Sequence, residues 1–212
     1  MEHLQENDPV SAQAMIDELA HWDDIEVHIE DGDRNVTNRS SGHGFIGIGR
    51  KRLLNILQDR ARELGVKLEF EAEIEPDDAF LAQHDLVIAA DGLNSKLRKR
   101  FETEFQLDLD VKRNKFVWLG THQRFDAFNF IFKNTRFGWI WAHAYQFDKD
   151  TATFIVECEP ETYDRAGFAD MSQEESCRLC EEIFADHLGG HELMTNAKHI
   201  RGSAWINFPR II

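Results

Sequence analysis

The residues best placed to do chemistry lie in the segment Asp91–Arg98, which reads Asp-Gly-Leu-Asn-Ser-Lys-Leu-Arg and follows the apolar run Leu86–Ala90. A run that is apolar on both faces predicts an interior strand of a covered parallel sheet. Ligands of open α/β sheets bind beyond the carboxyl ends of such strands. The segment would present a carboxylate, an approachable glycine backbone and a guanidinium at that edge. The combination predicts a binding site for a polar ligand, whereas Asp-Gly alone usually marks a turn.

A second candidate is the segment Gly42–Gly47, whose sequence Gly-His-Gly-Phe-Ile-Gly fits the letters of the GxGxxG dinucleotide-binding loop. That loop must leave a buried parallel strand and open a helix directly. Here the preceding residues 34–41 are almost all polar, and the helical pattern starts only near Arg50. We therefore do not expect residues 42–47 to form such a turn.

Cysteine and histidine spacing offers two weaker candidates. Cys177 and Cys180 form a CxxC, which could be redox-active or half of a zinc site. The pair lies inside a helical pattern and the sequence has no second CxxC, so we expect two ordinary helix cysteines one turn apart. His187 and His191 are a spaced pair without a third ligand, and we predict no metal site.

Hydrophobic periodicity predicts the elements that position these segments. The predicted elements are a helix from Pro9 to about Trp22, a hairpin over 25–40, a helix over 53–64 that Gly65 ends, a strand over 66–72 and a helix over 172–187. In the second half, strand-like segments follow one another at residues 116–121, 127–132, 138–147 and 151–157. The connections between them are too short for crossover helices, which predicts an antiparallel meander.

Aromatic residues are concentrated in this second half, between Phe116 and Phe154, and include Trp118, Trp139 and Trp141. One interpretation is a sheet that packs its aromatic side chains against helices. The other is a sheet whose inner face also lines a site for an aromatic ligand. The sequence pattern leaves both open.

Composition excludes several classes of partner. The formal net charge of −15 would repel a polyanion, so neither nucleic acid nor an anionic membrane surface is an expected partner. The mean hydropathy is −0.48 and the longest apolar stretch is too short to span a bilayer. The first residues lack the basic and apolar regions of a secretory signal, and three cysteines are too few for a secreted scaffold, so we expect a cytoplasmic protein.

The segment 85–98 resembles the second flavin-binding fingerprint of the single-component flavoprotein hydroxylases, typified by para-hydroxybenzoate hydroxylase. That fingerprint is an apolar strand ending in Asp-Gly, with Ser and Arg each three positions further on, as Asp91, Gly92, Ser95 and Arg98 stand here. The resemblance implies FAD as the cofactor, with Asp91 and Gly92 as binding residues. Arg98 is a lesser candidate, which could instead brace the loop through Asp85 or Asp91.

The same resemblance extends to Gly47-Ile-Gly-Arg50, because the family has a strand followed by an Arg or Gln that contacts the flavin. Carried over, Arg50 becomes a cofactor ligand, since a guanidinium suits phosphate or ribityl oxygens. A solvent-facing arginine in a first helical turn is the alternative.

A closer likeness, to the group of salicylyl-CoA and 2-aminobenzoyl-CoA monooxygenases, runs through most of the chain. It is carried by residues 43–57, 116–122, 125–128, 171–176 and 199–203. It implies hydroxylation of a small aromatic substrate, held as a CoA thioester, with FAD, O2 and either NADH or NADPH as reductant. The flavin would carry the chemistry, so no residue of this chain is predicted to be catalytic. Rival hypotheses are an FAD reductase or halogenase of the same superfamily, and a non-catalytic binding module.

The resemblance also implies the fold class: α+β or α/β, with a partial FAD-binding α/β domain and an antiparallel-sheet substrate domain, a truncated para-hydroxybenzoate hydroxylase-like fold. We assign residues 1–104 to the FAD-binding part, 105–203 to the substrate domain and 204–212 to the return of the chain to the FAD domain. The hairpin at 25–40 could belong to the substrate side. The family's first GxGxxG and last Gly-Asp fingerprints do not occur in the sequence, so we expect an internal fragment that binds FAD weakly or not at all alone.

Overall fold

The computed structural model describes residues 2–106, 108–195, 201–203 and 206–207. It divides them into two compact units. The first unit holds the residues up to Val66 and those from Arg113 to the strand at 201–203. The second holds Lys67–Lys112 and the strand at 206–207. No helix in the described ranges has the length and apolar character needed to cross a membrane.

The elements have the following bounds. The helices are α1 (Glu2–Asn7), α2 (Pro9–Ile16), α3 (Arg50–Glu63), α4 (Asp78–Leu81), α5 (Lys96–Arg100), α6 (Glu102–Phe105), α7 (Pro160–Ala166) and α8 (Gln173–Leu188). The strands are β1 (Ala20–Trp22), β2 (Ile25–Asp31), β3 (Arg34–Ser40), β4 (Phe45–Gly47), β5 (Asp110–Val111), β6 (Lys115–Thr121), β7 (Phe128–Thr135), β8 (Gly138–Gln146), β9 (Ala152–Cys158), β10 (Leu193–Thr195), β11 (Arg201–Ser203) and β12 (Ile206–Asn207).

One large sheet dominates the first unit, with the strand order β10-β6-β9-β8-β7-β2-β3 and β11 also paired with β6. All of its pairings are antiparallel except that of β2 with β7. The predicted antiparallel sheet is therefore confirmed. The predicted meander is wrong in one step, because β6 pairs with β9 and not with β7. Every residue of β9 is buried, and such a strand needs a hydrogen-bonded neighbour on each edge, which β6 and β8 supply.

The core lies on one face of this sheet, against α7 and α8. Along β8 the side chains Ile140, Ala142 and Ala144 are fully buried, and they alternate with residues that point to the other face. From α8, Phe184 packs edge-on against Phe154 of β9 with ring centroids 5.4 Å apart. The apolar side chains of the helices and those of the sheet thus form one buried layer.

Three local predictions are confirmed by the structure. The helix predicted at 172–187 is α8, and a capping box between Ser172 and Glu175 begins it. The hairpin predicted at 25–40 is formed by β2 and β3, and it joins the large sheet through β7. The helix predicted at 53–64 is α3, and Gly65 follows its end with a φ of 79°.

The helix predicted from Pro9 is shorter than its pattern suggested. It ends at Ile16, and Trp22 lies in β1, which pairs with β4. Of the predicted terminal segment 204–212, the structure describes only Ile206 and Asn207, which pair with β5.

The strands predicted at 66–72 and 86–90 are not formed, which corrects the sequence analysis. Leu86 is 76% exposed and Ile88 is 81% exposed, and among the described residues no strand pairs with either segment. A strand that is apolar on both faces is stable only with strands on its edges and helices over its faces. Because no such strands pair with residues 86–90 in the described part of the chain, Leu86 and Ile88 are exposed and not buried as predicted.

An ionic cluster links β2 of the hairpin with the neighbouring strand β7 and with α8. The carboxylate of Glu30 lies 2.6 Å from Nε2 of His187 and 2.8 Å from Nζ of Lys133. Burial raises the pKa of Glu30, but the hydrogen bonds from Lys133 and His187 outweigh it, and the pKa lies below its usual value. The ring of His28 packs edge-on against that of His187, with centroids 4.8 Å apart.

This cluster predicts a pH-dependent contribution to stability. A carboxyl group whose pKa is lowered by folding stabilises the fold fully above its unfolded pKa of about 4.3, and the contribution is lost as pH falls through the folded pKa. We expect Glu30→Gln to lower the free energy of unfolding by about 1 kcal/mol at pH 7 and to have a smaller effect near pH 3. Urea unfolding at both pH values measures this difference.

Glu182→Gln is the matched control, because among the described residues Glu182 forms only a long, exposed pair with Arg136, at 3.8 Å. Its effect should stay below about 0.5 kcal/mol at both pH values. Equal effects of Glu30→Gln at pH 7 and pH 3 would contradict the proposed role of ionisation.

Candidate functional site

The loop that begins at Asp91 is held by its own hydrogen bonds. Ser95 caps α5, with its hydroxyl accepting from the backbone N–H of Arg98 at 3.0 Å. The Asp91 carboxylate accepts from the backbone N–H of Lys96 at 3.1 Å. The hydrogen bond from Ser95 is the largest influence on the pKa of Asp91, which lies below its usual value. Asp91 is therefore an ionised, exposed acceptor at the start of the loop.

Gly92 gives this loop its shape. Its φ is 77°, a left-handed conformation that residues with a Cβ rarely adopt. A Cβ at this position would meet no atom within 4 Å, so the backbone of Gly92 is open to approach. Its carbonyl accepts from the backbone N–H of Ser95 at 3.3 Å, which closes the turn.

Arg98 is engaged inside the loop. Its guanidinium donates to the carbonyl oxygen of Gly92 at 3.0 Å and to that of Leu93. The bracing role considered from the sequence is thus present, and backbone carbonyls are among its acceptors. The positive charge of Arg98 still contributes to lowering the pKa of Asp91.

Arg50 belongs to the first unit, whereas Asp91, Gly92 and Arg98 share the second. It is the first residue of α3, directly after the N-cap Gly49, and it is exposed. An exposed guanidinium at the N-terminus of a 14-residue helix is suited to an anionic group.

The segment Gly42–Gly47 does not form a dinucleotide-binding turn, as predicted. It leads into β4, which pairs antiparallel with β1, and α3 begins only at Arg50. Gly47 has a packing role, because a Cβ there would lie 2.8 Å from the carbonyl oxygen of Gln146 and 3.1 Å from the ring of Trp22.

The face of the large sheet opposite α8 is aromatic. We call it the aromatic face, and its members include Phe116, Trp118, Phe128, Phe130, Phe132, Trp139, Trp141, His143 and Tyr145. Ring pairs cover it: Phe128 stacks on Phe130 with centroids 4.6 Å apart, and Phe132 stacks on Trp141 at 6.1 Å. The sheet therefore packs apolar side chains against helices on one face and presents aromatic rings on the other.

A buried carboxylate interrupts the aromatic face, and the sequence analysis missed it. Glu157 lies in β9 and its side chain is only 7% exposed. Its Oε1 accepts from Nδ2 of Asn114 at 3.0 Å, and its Oε2 lies 3.9 Å from Nε2 of His143. Burial lowers the pKa of His143, and the charge of Glu157 opposes that shift only in part. The sequence signal that could have revealed this residue was a single Glu within the mostly apolar segment 152–158.

The CxxC is structural, as expected. Cys177 and Cys180 are buried free thiols on α8, and Cys158 in β9 is also buried and free. Burial raises the pKa of Cys158 to about 12 and also raises the pKa of Cys180. In the described residues no group of three or more His, Cys, Asp or Glu is arranged to hold a metal ion, and His187 pairs with Glu30 instead.

Three curated proteins resemble the chain in sequence. Salicyloyl-CoA 5-hydroxylase from Streptomyces sp. is 37% identical over 95% of this chain and 38% of that protein. Protodeoxyviolaceinate monooxygenase from Chromobacterium violaceum is 37% identical over 80% of this chain and 44% of that protein. A 3-hydroxy-4-methyl-anthranilyl-(aryl-carrier protein) 5-monooxygenase from Streptosporangium sibiricum is 28% identical over 100% of this chain and 53% of that protein. The chain thus spans about half or less of these relatives' length.

Solved structures share the fold. PqsL from Pseudomonas aeruginosa, described as a probable FAD-dependent monooxygenase, matches 98% of this chain and 60% of that chain with a TM-score of 0.55 and 14% identity. The flavin-dependent brominase Bmp2 matches 97% of this chain and 55% of that chain with a TM-score of 0.54 and 11% identity. No protein-family model matches the chain. These findings confirm the predicted fold class and the predicted resemblance to FAD-dependent aromatic hydroxylases.

The burial of the cysteines predicts their reactivity. Because a thiolate is the reacting species, a buried thiol with a raised pKa should react slowly with a disulfide reagent such as DTNB. We expect the folded chain at pH 8 to release almost no thionitrobenzoate over minutes, and the chain in urea to release it from all three cysteines. A Gln5→Cys variant, with an exposed thiol on α1, should show one fast equivalent. Fast reaction of the unmodified folded chain would contradict a structural role.

Proposed function

We propose that this chain is part of an FAD-dependent monooxygenase that hydroxylates an aromatic substrate. The observation that carries the proposal is the 37% identity to salicyloyl-CoA 5-hydroxylase, which extends over 95% of this chain. The relative is about two and a half times as long as the match, so the activity of a whole protein is part of the proposal. FAD, when bound and reduced by NADH or NADPH, supplies the activation of oxygen for the hydroxylation.

The Asp91 loop fits a role in holding the cofactor. Asp91 offers an ionised acceptor for sugar or ribityl hydroxyl groups, and Gly92 leaves the backbone unobstructed for a ligand to approach. Arg98 donates to the carbonyl oxygens of Gly92 and Leu93, so the loop has its shape before a ligand binds. Asp91 and Gly92 would thus contact the cofactor, and Arg98 would act mainly by positioning them.

Arg50 would supply a positive charge to the same cofactor. Its exposed guanidinium at the start of α3 suits a phosphate or ribityl oxygen.

The large sheet, which combines strands of residues 105–203 with the hairpin at 25–40, would serve as the substrate domain, and the aromatic face would meet the substrate. Aromatic side chains that are only partly buried, such as Trp139 and Trp141, can stack on an aromatic ring. The names of two relatives describe an aromatic acyl group carried by CoA or by a carrier protein. We therefore propose an aromatic acyl thioester as the substrate, with CoA as its first candidate carrier.

Halogenation is the second candidate function, because the flavin-dependent brominase Bmp2 has the same fold. That likeness is at 11% identity, whereas the monooxygenases reach 37%. Hydroxylation is thus the better-supported reaction.

The proposal predicts flavin retention by a longer chain. The purified 212-residue chain should be colourless, because it carries one flavin fingerprint and Arg50 without the other two fingerprints. A chain extended at both ends to the length of its relatives should be yellow after purification. In that chain Asp91→Ala should weaken FAD binding by about tenfold or more, since a hydrogen bond to a charged group contributes about 1.5 to 3 kcal/mol. Absorbance at 450 nm and titration with FAD measure both effects.

Asp108→Ala is the matched control, because Asp108 is an exposed aspartate of the same unit outside the Asp91 loop. It should retain FAD like the unmodified protein. Stoichiometric FAD in the 212-residue chain, or an unaltered affinity in Asp91→Ala, would show that the cofactor site is elsewhere.

A further inference from the structure

Glu157 occupies an unusual position in the sheet. It lies in β9, the strand that is buried along its whole length, yet on the aromatic face and not in the layer against α8. Its register partners on the two neighbouring strands are Phe116 of β6 and Trp141 of β8, so aromatic side chains flank it on both sides. Residues that are paired across strands share a face, which places the carboxylate within the aromatic surface.

The carboxylate is only partly satisfied by the protein. A carboxylate has about four acceptor positions, and among the described residues a single hydrogen bond, from Asn114, is made to Glu157. The nearest cationic candidate, His143, is 3.9 Å away, beyond hydrogen-bond distance. The acceptor positions that the protein leaves unfilled are available to a hydrogen-bond donor of a ligand.

His143 lies on the next row of the same face. It is paired with Phe130 of β7 and with Ile155 of β9, which makes it a diagonal neighbour of Glu157. Its ring packs edge-on against Phe130, with centroids 5.0 Å apart, and within the described residues its nitrogens make no hydrogen bond. Burial keeps its pKa below the usual value, so at neutral pH the imidazole is uncharged and one ring nitrogen is an acceptor. Two acceptors, one on each residue, therefore face the same aromatic surface.

We propose that Glu157 and His143 form a recognition site on the aromatic face for a ring that bears a hydroxyl or N–H group. The ring stacks on the partly exposed Trp141, and its hydrogen-bond donor is accepted by Glu157 or by His143. The further claim that this ligand is the substrate rests on the proposed monooxygenase function. Both residues would position the substrate, and neither is assigned a step in bond making or breaking.

The charge of Glu157 also selects among aromatic compounds. A free aromatic carboxylate would bring a second negative charge next to a poorly solvated one, which is unfavourable. An uncharged ester, amide or thioester of the same acid avoids that repulsion. The site therefore favours a hydroxy- or amino-substituted ring whose acid group is masked.

The experiment compares phenol with anisole, which has the same ring but no hydrogen-bond donor. Binding to the 212-residue chain is followed by the NMR signal of the Trp141 indole N–H, assigned with Trp141→Phe. Phenol should bind about tenfold more tightly than anisole, because a hydrogen bond to a charged acceptor contributes about 1.5 to 3 kcal/mol. Benzoate should bind more weakly than methyl benzoate.

Glu157→Gln tests the acceptor directly, since glutamine can still accept from Asn114 while it loses the charge. It should reduce the preference for phenol over anisole to about twofold or less and leave the affinity for anisole unchanged. Glu159→Gln is the matched control, two residues away and exposed, and it should keep the full preference. A purely structural role for Glu157 would change the melting temperature but not the ratio of the two affinities.

Equal binding of phenol and anisole to the unmodified chain, or no binding of either at Trp141, overturns the inference whether or not the variant folds. A preference that survives in Glu157→Gln overturns it as well. These outcomes are independent of flavin retention by the longer protein. Loss of flavin with intact phenol preference rejects the proposed function and keeps the recognition site, and the reverse result rejects the site alone.

Discussion

The burial of β9 is the constraint on which the first unit depends. A strand that is buried along its whole length can satisfy its backbone groups only with a neighbour on each edge, and β6 and β8 take those places. Phe154 then meets Phe184 of α8 on one face, which fixes the helix against the centre of the sheet. On its other face the same strand carries Glu157.

The two faces of the sheet consequently have different compositions and can have different roles. The face against α8 carries small and aliphatic residues along β8, with Ile140, Ala142 and Ala144 fully buried, and it supplies close packing. The opposite face carries large rings together with an imidazole and a carboxylate. Polar groups on such a surface lower the stability of the fold unless they form hydrogen bonds. A ligand that supplies those hydrogen bonds would therefore bind favourably to this face.

The Asp91 loop is organised by local hydrogen bonds. Ser95 caps α5, Arg98 closes on the carbonyls of Gly92 and Leu93, and Asp91 accepts from Lys96. These contacts span only a few residues, so the loop forms although the run before it is exposed and unpaired. A loop that is preformed in this way loses little conformational freedom when it binds a ligand.

The sequence by itself determined the features that depend on short stretches of chain. The hairpin at 25–40, the helix at 172–187 and the antiparallel strands of the second half all follow from neighbouring residues and were predicted. The resemblance carried by Asp91, Gly92 and Arg98 was also readable from the sequence, because a fingerprint is a local pattern.

The tertiary structure alone decided the features that depend on distant partners. The pairing of β6 with β9 joins residues about forty positions apart, for example Phe116 with Glu157, and no turn signal specifies it. The same reason explains why the run Leu86–Ala90 is exposed despite its composition, and why Glu157 was missed. Period-two alternation shows that a strand has two faces, but which face is buried, and beside which side chains, is decided only by the strands and helices that pack against it.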